Sequence, residues 1–166
     1  MGSRVQARIE LSPSLRAAVE PYRRRWNPER AAGNPAHVTV VYHDEAPSSA
    51  LLRQRLAAVA GTLGAFEIVV GAPRPFAAPV DGVLLEVGDP SGAIARLREQ
   101  LLSPPFRPRA RYGPHVTLLH PEQGHRMREA WPELSRAPAP GPMRVTELVL
   151  VDAGNGVIER FPLAVA

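Results

Sequence analysis

The sequence contains neither cysteine nor lysine. Without cysteine, the chain cannot form disulfides, thiolate metal sites or a cysteine nucleophile. All 20 basic residues are arginine, which a codon bias toward arginine would explain. The absence of lysine excludes ligases that form a lysyl adenylate, enzymes that form a Schiff base, and phosphate loops that depend on a lysine. Whatever reaction this chain performs must therefore use other side chains.

Long apolar runs are also missing. No segment approaches the roughly 18 apolar residues of a membrane span, and the first dozen residues lack the apolar core of a secretion signal. With 166 residues, 45% hydrophobic and 22% charged, the composition is that of one globular domain spanning residues 1–166. We expect a cytoplasmic monomer with no membrane partner. The net charge of +4 is compatible with an anionic partner.

The apolar pattern predicts an α+β fold in which sheets carry helices on one side. Strands are predicted at 4–11, 37–42, 65–70, 82–87, 115–119, 145–151 and 157–163, the last two joined by a turn at 154–156. Helices are predicted at 13–26, 47–63, 90–102 and 124–134. Pro73 and Pro75 are predicted to end the third strand. Residues 27–36 and 137–142 are predicted to be irregular connectors.

The tripeptide His-Val-Thr occurs twice, as His37–Thr39 in NPAHVTVVYHDE and as His115–Thr117 in GPHVTLLHPEQG. Both copies fall in predicted strands. Alternate residues of a strand share a face, so each histidine lies beside its threonine while the valines face a core. One copy in each half of the chain suggests a duplicated lobe, with the two halves facing each other across a cleft.

Two imidazoles and two hydroxyls that converge on one cleft suit phosphate-ester chemistry. Histidine titrates near neutral pH, so one histidine can be a neutral base and the other a protonated acid, and the sequence leaves open which is which. The hydroxyls of Thr39 and Thr117 can donate hydrogen bonds to phosphate oxygens. The alternative interpretation is a chance repeat of polar residues on two half-buried strands.

The two motifs resemble the signature of the 2H phosphoesterase superfamily, which carries one His-x-Thr/Ser strand in each of two lobes. The flanks PAHVTVVY and GPHVTLLH match this pattern, and ELVLVDAGNGVIERFPL is similar to the family's usual ending. The resemblance implies a bilobal fold with two pseudo-symmetric antiparallel sheets and outer helices around a central cleft. It also implies metal-independent hydrolysis of 2′,3′-cyclic or 2′–5′ phosphodiesters of RNA ends or nucleotides. The catalytic residues would be His37, Thr39, His115 and Thr117.

The family includes bacterial RNA 2′,3′-cyclic phosphodiesterases, first named 2′–5′ RNA ligases, so a reverse ligase activity is also implied. The segment VVYHDE differs from the Phe-Leu-Gly that tends to follow the first motif in those enzymes. A distinct branch acting on a small molecule is an equal alternative. A non-catalytic module that binds a nucleotide or RNA is a further alternative. Two intact histidines favour catalysis, because binding alone would not require two titrating groups.

Substrate contacts are expected just before the second motif. Arg107, Arg109 and Arg111 alternate, so in an extended segment they share a face and can guide a phosphate backbone toward His115. A solvated edge strand is the alternative. Tyr112 can stack on a base near the cleft or pack within the protein. Arg109, Arg111 and Tyr112 are therefore the candidate substrate-binding residues.

The histidines outside the motifs do not indicate a metal site. His43 with Asp44, and His120 with His125, are the residues on which the alternative of a metal site would rest. His115 and His120 fall on opposite faces of a strand, and no His-Glu-x-x-His helix is present. We therefore expect no metal and no cofactor.

Overall fold

The computed structural model of the protein describes residues 4–152 and 156–165, and within them eight strands form two four-stranded sheets. The strands are β1 (Val5–Glu10), β2 (His37–Val41), β3 (Phe66–Pro75), β4 (Val83–Gly88), β5 (His115–Leu119), β6 (Gly141–Val145), β7 (Glu147–Asp152) and β8 (Gly156–Pro162). The helices are α1 (Pro13–Trp26), α2 (Pro28–Ala31), α3 (Ser49–Ala60), α4 (Ala93–Leu101) and α5 (Met127–Leu134), with a 3₁₀ segment at Pro121–Arg126.

The two sheets have matching strand orders. The first sheet runs β2-β1-β7-β8 and the second runs β5-β4-β3-β6, and neighbouring strands are antiparallel. The unit β1-α1-β2 of the first sheet therefore corresponds to β4-α4-β5 of the second. In each sheet the motif strand lies at one edge. This arrangement confirms the expected α+β fold with two pseudo-symmetric antiparallel sheets.

Helices α1 and α4 pack across the boundary between the sheets. Helix α1 contacts β5 of the second sheet, and helix α4 contacts β2 of the first. Val19 of α1 and Leu97 of α4 belong to one buried apolar cluster that also contains Val38 and Val116 of the motif strands. Each fully buried side chain of this kind contributes roughly 1.5–3 kcal/mol. The shared core therefore holds the two motif strands in a fixed relation.

Local signals position the first helix where the sequence predicts it. The Ser12 hydroxyl accepts a hydrogen bond from the Leu15 amide (3.4 Å), and Pro13 occupies the first helical turn, where its missing N–H costs nothing. The predicted helix at 13–26 is confirmed in full. None of the helices in the described part of the chain is long and apolar enough to cross a membrane.

The predicted end of the third strand at Pro73 is wrong. Strand β3 continues to Pro75 through an irregularity between Val70 and Pro73, and it stays paired with β4. On the other side of β3, the pairing with β6 extends only from Phe66 to Val70. The proline segment thus has one free edge, where a residue without an N–H leaves no ladder bond unmade.

The predicted strand at 145–151 is in fact part of two strands. β6 includes residues assigned to the connector at 137–142 and pairs with β3 in the second sheet. β7 begins two residues after β6 ends and pairs with β1 in the first sheet. The chain thus changes sheets at Thr146. The predicted turn at 154–156 lies mostly outside the described residues.

Two further segments differ in detail from the prediction. The connector at 27–36 contains the short helix α2. The helix predicted at 124–134 is divided, because a 3₁₀ segment occupies Pro121–Arg126 and the α-helix starts at Met127.

Candidate active site

The two motif strands lie against each other where the two sheets meet. Cα atoms of β2 and β5 approach within 8 Å. Both strands have the same burial pattern, in which the histidine and threonine are half-buried and the intervening residue is buried. Val38 and Val116 are fully buried, so His37 and His115 are on the faces turned away from the core. The structure thus brings the two motifs together.

Both histidines are oriented by equivalent backbone contacts. Nδ1 of His37 lies 2.7 Å from the carbonyl oxygen of Pro35, and Nδ1 of His115 lies 2.8 Å from that of Gly113. A carbonyl oxygen can only accept a hydrogen bond, so each Nδ1 carries a proton and donates it. In the neutral ring Nε2 then has a free lone pair. Each imidazole therefore uses Nε2 for any proton transfer.

Burial lowers the pKa of His37 to about 4. The loss of hydration disfavours the imidazolium and is the largest cause. The guanidinium groups of Arg8 and Arg23 lower the pKa further, whereas the hydrogen bond to Pro35 and the carboxylate of Glu10 raise it. His37 is therefore neutral at pH 7, the state that a general base requires.

Two charged residues of β1 share the cleft face with the first motif. Glu10 is opposite His37 and Arg8 is opposite Thr39 in the register of β1 with β2. Arg8 is only 4% exposed, and it donates hydrogen bonds to Glu10 (2.7 Å) and Asn34 (2.8 Å). The sequence prediction missed both residues. The available signal was their position on the strand face opposite the apolar residues of β1.

The surroundings of His115 differ from those of His37. The ring of Phe76 meets the imidazole edge to face, with centroids 5.4 Å apart. Phe76 starts the loop between β3 and β4, which returns at Gly82. A Cβ on Gly82 would lie 2.7 Å from the carbonyl oxygen of Leu119, so only glycine permits this close approach of the loop to β5.

Tyr112 links the two motifs. Its hydroxyl donates a hydrogen bond to the backbone carbonyl of Thr39 (2.9 Å), and the guanidinium of Arg98 lies 3.6 Å from the centre of its ring. Arg98 in turn donates two hydrogen bonds to Glu45, which is 1% exposed. The half-buried ring thus has a packing role in this structure, and stacking on a base stays a prediction.

The three alternating arginines before the second motif are all exposed. The guanidinium of Arg109 lies 2.8 Å from a carboxylate oxygen of Asp44 and 3.7 Å from the centre of the Tyr42 ring. Arg111 makes no ion pair with any residue in the described ranges. Of the two candidate binding arginines, Arg111 is therefore the one whose charge is not paired among the described residues.

No group of three or more histidine, cysteine, aspartate or glutamate side chains that could hold a metal ion occurs among residues 4–152 and 156–165. His120 lies instead beside Glu122, which is paired with Arg30. Metal independence stays a prediction.

Comparisons with known proteins identify a family and a shared fold for this chain. A family model described as the 2′-5′ RNA ligase superfamily matches residues 11–157. The crystal structure of E. coli LigT complexed with 3′-AMP has a TM-score of 0.64 at 22% identity and covers 99% of each chain. The structure of Kluyveromyces marxianus Usb1 has a TM-score of 0.52 at 12% identity and covers 97% of each chain. At these identities the likeness shows a shared fold. No curated protein matches the chain in sequence.

Proposed function

Because this chain belongs to the 2′-5′ RNA ligase superfamily, the 2H phosphoesterases, we propose that it hydrolyses 2′,3′-cyclic or 2′–5′ phosphodiesters of RNA ends or nucleotides without a metal. One observation carries the proposal. Both His-x-Thr motifs are intact on adjacent edge strands, and each imidazole keeps Nε2 free because Nδ1 is bound to the backbone. This is the arrangement that a paired acid and base require.

The proposed reaction needs only the four motif side chains and water. One histidine accepts a proton from water as the water oxygen bonds to phosphorus. The other donates a proton to the ribose oxygen as its bond to phosphorus breaks, which leaves a phosphomonoester. Solvent then restores both protonation states. Thr39 and Thr117 donate hydrogen bonds to the non-bridging oxygens. If a ribose 5′-hydroxyl takes the place of the attacking water and opens a 2′,3′-cyclic phosphate, the bond from phosphorus to the 3′ oxygen breaks, that oxygen takes the proton from the acid, and a 2′–5′ linkage forms.

The relatives support a nucleotide-type substrate. E. coli LigT has been crystallised with 3′-AMP and with phosphate. A nucleoside monophosphate is the kind of product that opening a 2′,3′-cyclic phosphate would give. By analogy, we propose an RNA terminus or a nucleotide with a cyclic phosphate as the partner of this chain, and we keep a cytoplasmic location and a monomeric state as predictions.

We expect the hydrolysis of 2′,3′-cyclic nucleotides to be unaffected by EDTA, because the proposed nucleophile is activated by histidine and not by a metal. The measurement is kcat/KM for each of the four cyclic nucleotides, with and without the chelator. A metal-dependent hydrolase would lose activity and regain it with added zinc or manganese. Tight binding of the nucleotides without turnover would instead favour the non-catalytic binding module.

We expect Arg111→Ala to raise KM for an oligonucleotide with a 2′,3′-cyclic end, and to reduce the salt dependence of log KM by about one phosphate contact. Arg109→Ala is the matched comparison, and its effect should be smaller because the Arg109 charge is paired with Asp44. Oligonucleotides and mononucleotides that react equally, at any salt concentration, would favour the small-molecule substrate over RNA.

A further inference from the structure

Two nearly identical motifs must take different roles in an acid–base reaction, and β1 supplies a difference between them. We propose that Arg8 is a positioning residue that makes the two histidines unequal, keeping His37 neutral in the free protein so that it enters the reaction as the base, and that Glu10 holds the Arg8 guanidinium in place. The role of His37 as a base rests on the proposed function. The inequality itself is a property of the free protein.

The matching strand registers expose the asymmetry. In the first sheet Arg8 is opposite Thr39 and Glu10 is opposite His37. In the second sheet the corresponding residues of β4 are Leu84, opposite Thr117, and Glu86, opposite His115. The pseudo-symmetric partner of a buried cation is thus an aliphatic side chain. Glu86 is exposed and paired with Arg74 at 3.1 Å.

The burial of Arg8 is energetically unfavourable for an arginine side chain. It is 4% exposed, and its Nε is buried without a hydrogen-bond partner among the described residues. A buried polar group left unpaired is destabilising, and an aliphatic residue such as Leu84 at this position would avoid that cost. The positive charge of Arg8, held two residues from the position opposite His37, acts on the imidazole and lowers its pKa.

Few charged groups face His37 from the elements packed around it. Strand β1 contributes Arg8 and Glu10, and helix α1 contributes Arg23, which donates a hydrogen bond to the buried Glu20. His115 is the one titratable side chain on β5. Arg8 opposes protonation of the imidazole and Glu10 favours it. Glu10 also accepts a hydrogen bond from Arg8 (2.7 Å) and so fixes where that positive charge lies.

The arrangement gives the site a response to its substrate. In the empty site Arg8 and burial keep His37 neutral. The anionic phosphodiester offsets the positive charge of Arg8 when it binds, and the imidazole becomes a stronger base at the moment when water must be deprotonated. We therefore place His115 in the role of acid.

The test is an NMR titration of the His37 ring in the free protein, as wild type, Arg8→Met and Glu10→Gln. Arg8→Met should raise the midpoint by about one pH unit, since a nearby cation is removed. Glu10→Gln should not raise the midpoint and should tend to lower it, since a nearby anion is removed. Opposite directions are diagnostic, because simple loosening of the site would rehydrate His37 and raise the midpoint in both variants.

Two further variants complete the experiment. Arg8→Lys retains the charge and should keep the wild-type midpoint, and it serves if Arg8→Met does not fold. Leu84→Met changes the equivalent position in the second sheet and should leave the His37 midpoint unchanged. A rise in both Arg8→Met and Glu10→Gln, or no rise in Arg8→Met, would overturn the proposal. The titration needs no substrate, so its failure would leave the proposed hydrolysis to be judged by turnover alone.

Discussion

Replacing His37 or His115 by asparagine is expected to lower kcat/KM for a 2′,3′-cyclic nucleotide by about 10²–10⁴-fold, the usual worth of one proton-transfer group. Asparagine keeps a side chain of similar size, and its amide can still donate a hydrogen bond to the carbonyl that Nδ1 contacts now. It cannot exchange a proton near neutral pH. The loss should therefore appear in the rate and not in the stability of the fold, which thermal unfolding can check.

A variant of a third histidine and the double variant serve as controls for this prediction. His43→Asn is the matched variant, because His43 is exposed in the turn after β2, and it should keep the wild-type rate. The double variant should be little slower than either single variant, since residues that act as a unit lose their effect together. Wild-type rates in both single variants would rule out the acid–base pair.

Arg98→Met is expected to lower the free energy of unfolding at pH 7 by about 3–5 kcal/mol, the cost of leaving one partner of a buried ion pair uncompensated. Glu45 is 1% exposed, and Arg98 donates to both of its carboxylate oxygens at 2.7 and 3.0 Å. Arg98 also donates to the Val40 carbonyl. Urea unfolding measures the loss. Its control is Arg96→Met, an exposed position on the same helix, which should change the stability little.

The direction in which stability changes with pH follows from the pKa of Glu45. Hydrogen bonds from Arg98 and from the Arg109 and Tyr42 amides hold the pKa of this carboxyl below its usual value, although burial alone would raise it. In the wild type its contribution to stability is therefore full above the unfolded-state pKa and is lost as the pH falls through the folded-state pKa. In Arg98→Met the unpaired carboxyl should take up a proton more readily, so the penalty should shrink on acidification. A penalty below 1 kcal/mol at pH 7 would contradict the prediction.

Local patterns account for what could be predicted from the sequence. The helix at 13–26 follows from a serine cap, a proline in the first turn and an apolar stripe, all within one segment. The two motif strands follow from the alternation of valine with histidine and threonine. The same alternation predicts that each His-Thr pair faces away from the core, as the burial patterns confirm.

Contacts between distant segments account for what could not be predicted. The change of sheet at Thr146 depends on which strands β6 and β7 meet, and no local signal specifies β3 or β1. The ion pair of Glu45 with Arg98 joins a turn to a helix of the other half of the chain. The ion pair of Arg109 with Asp44 likewise forms only in the folded protein, so the spacing of the arginines could not indicate it.

The strand orders also determine when each half of the site is completed during synthesis. All strands of the second sheet lie between residues 66 and 145, so β5 can join a full sheet before β7 leaves the ribosome. The first sheet consists of only β1 and β2 until β7 pairs with β1, and two isolated strands are marginally stable. The His37 half of the candidate active site is thus the last to become rigid. In a nascent chain β1 would therefore lack its β7 partner until the second sheet has all four of its strands.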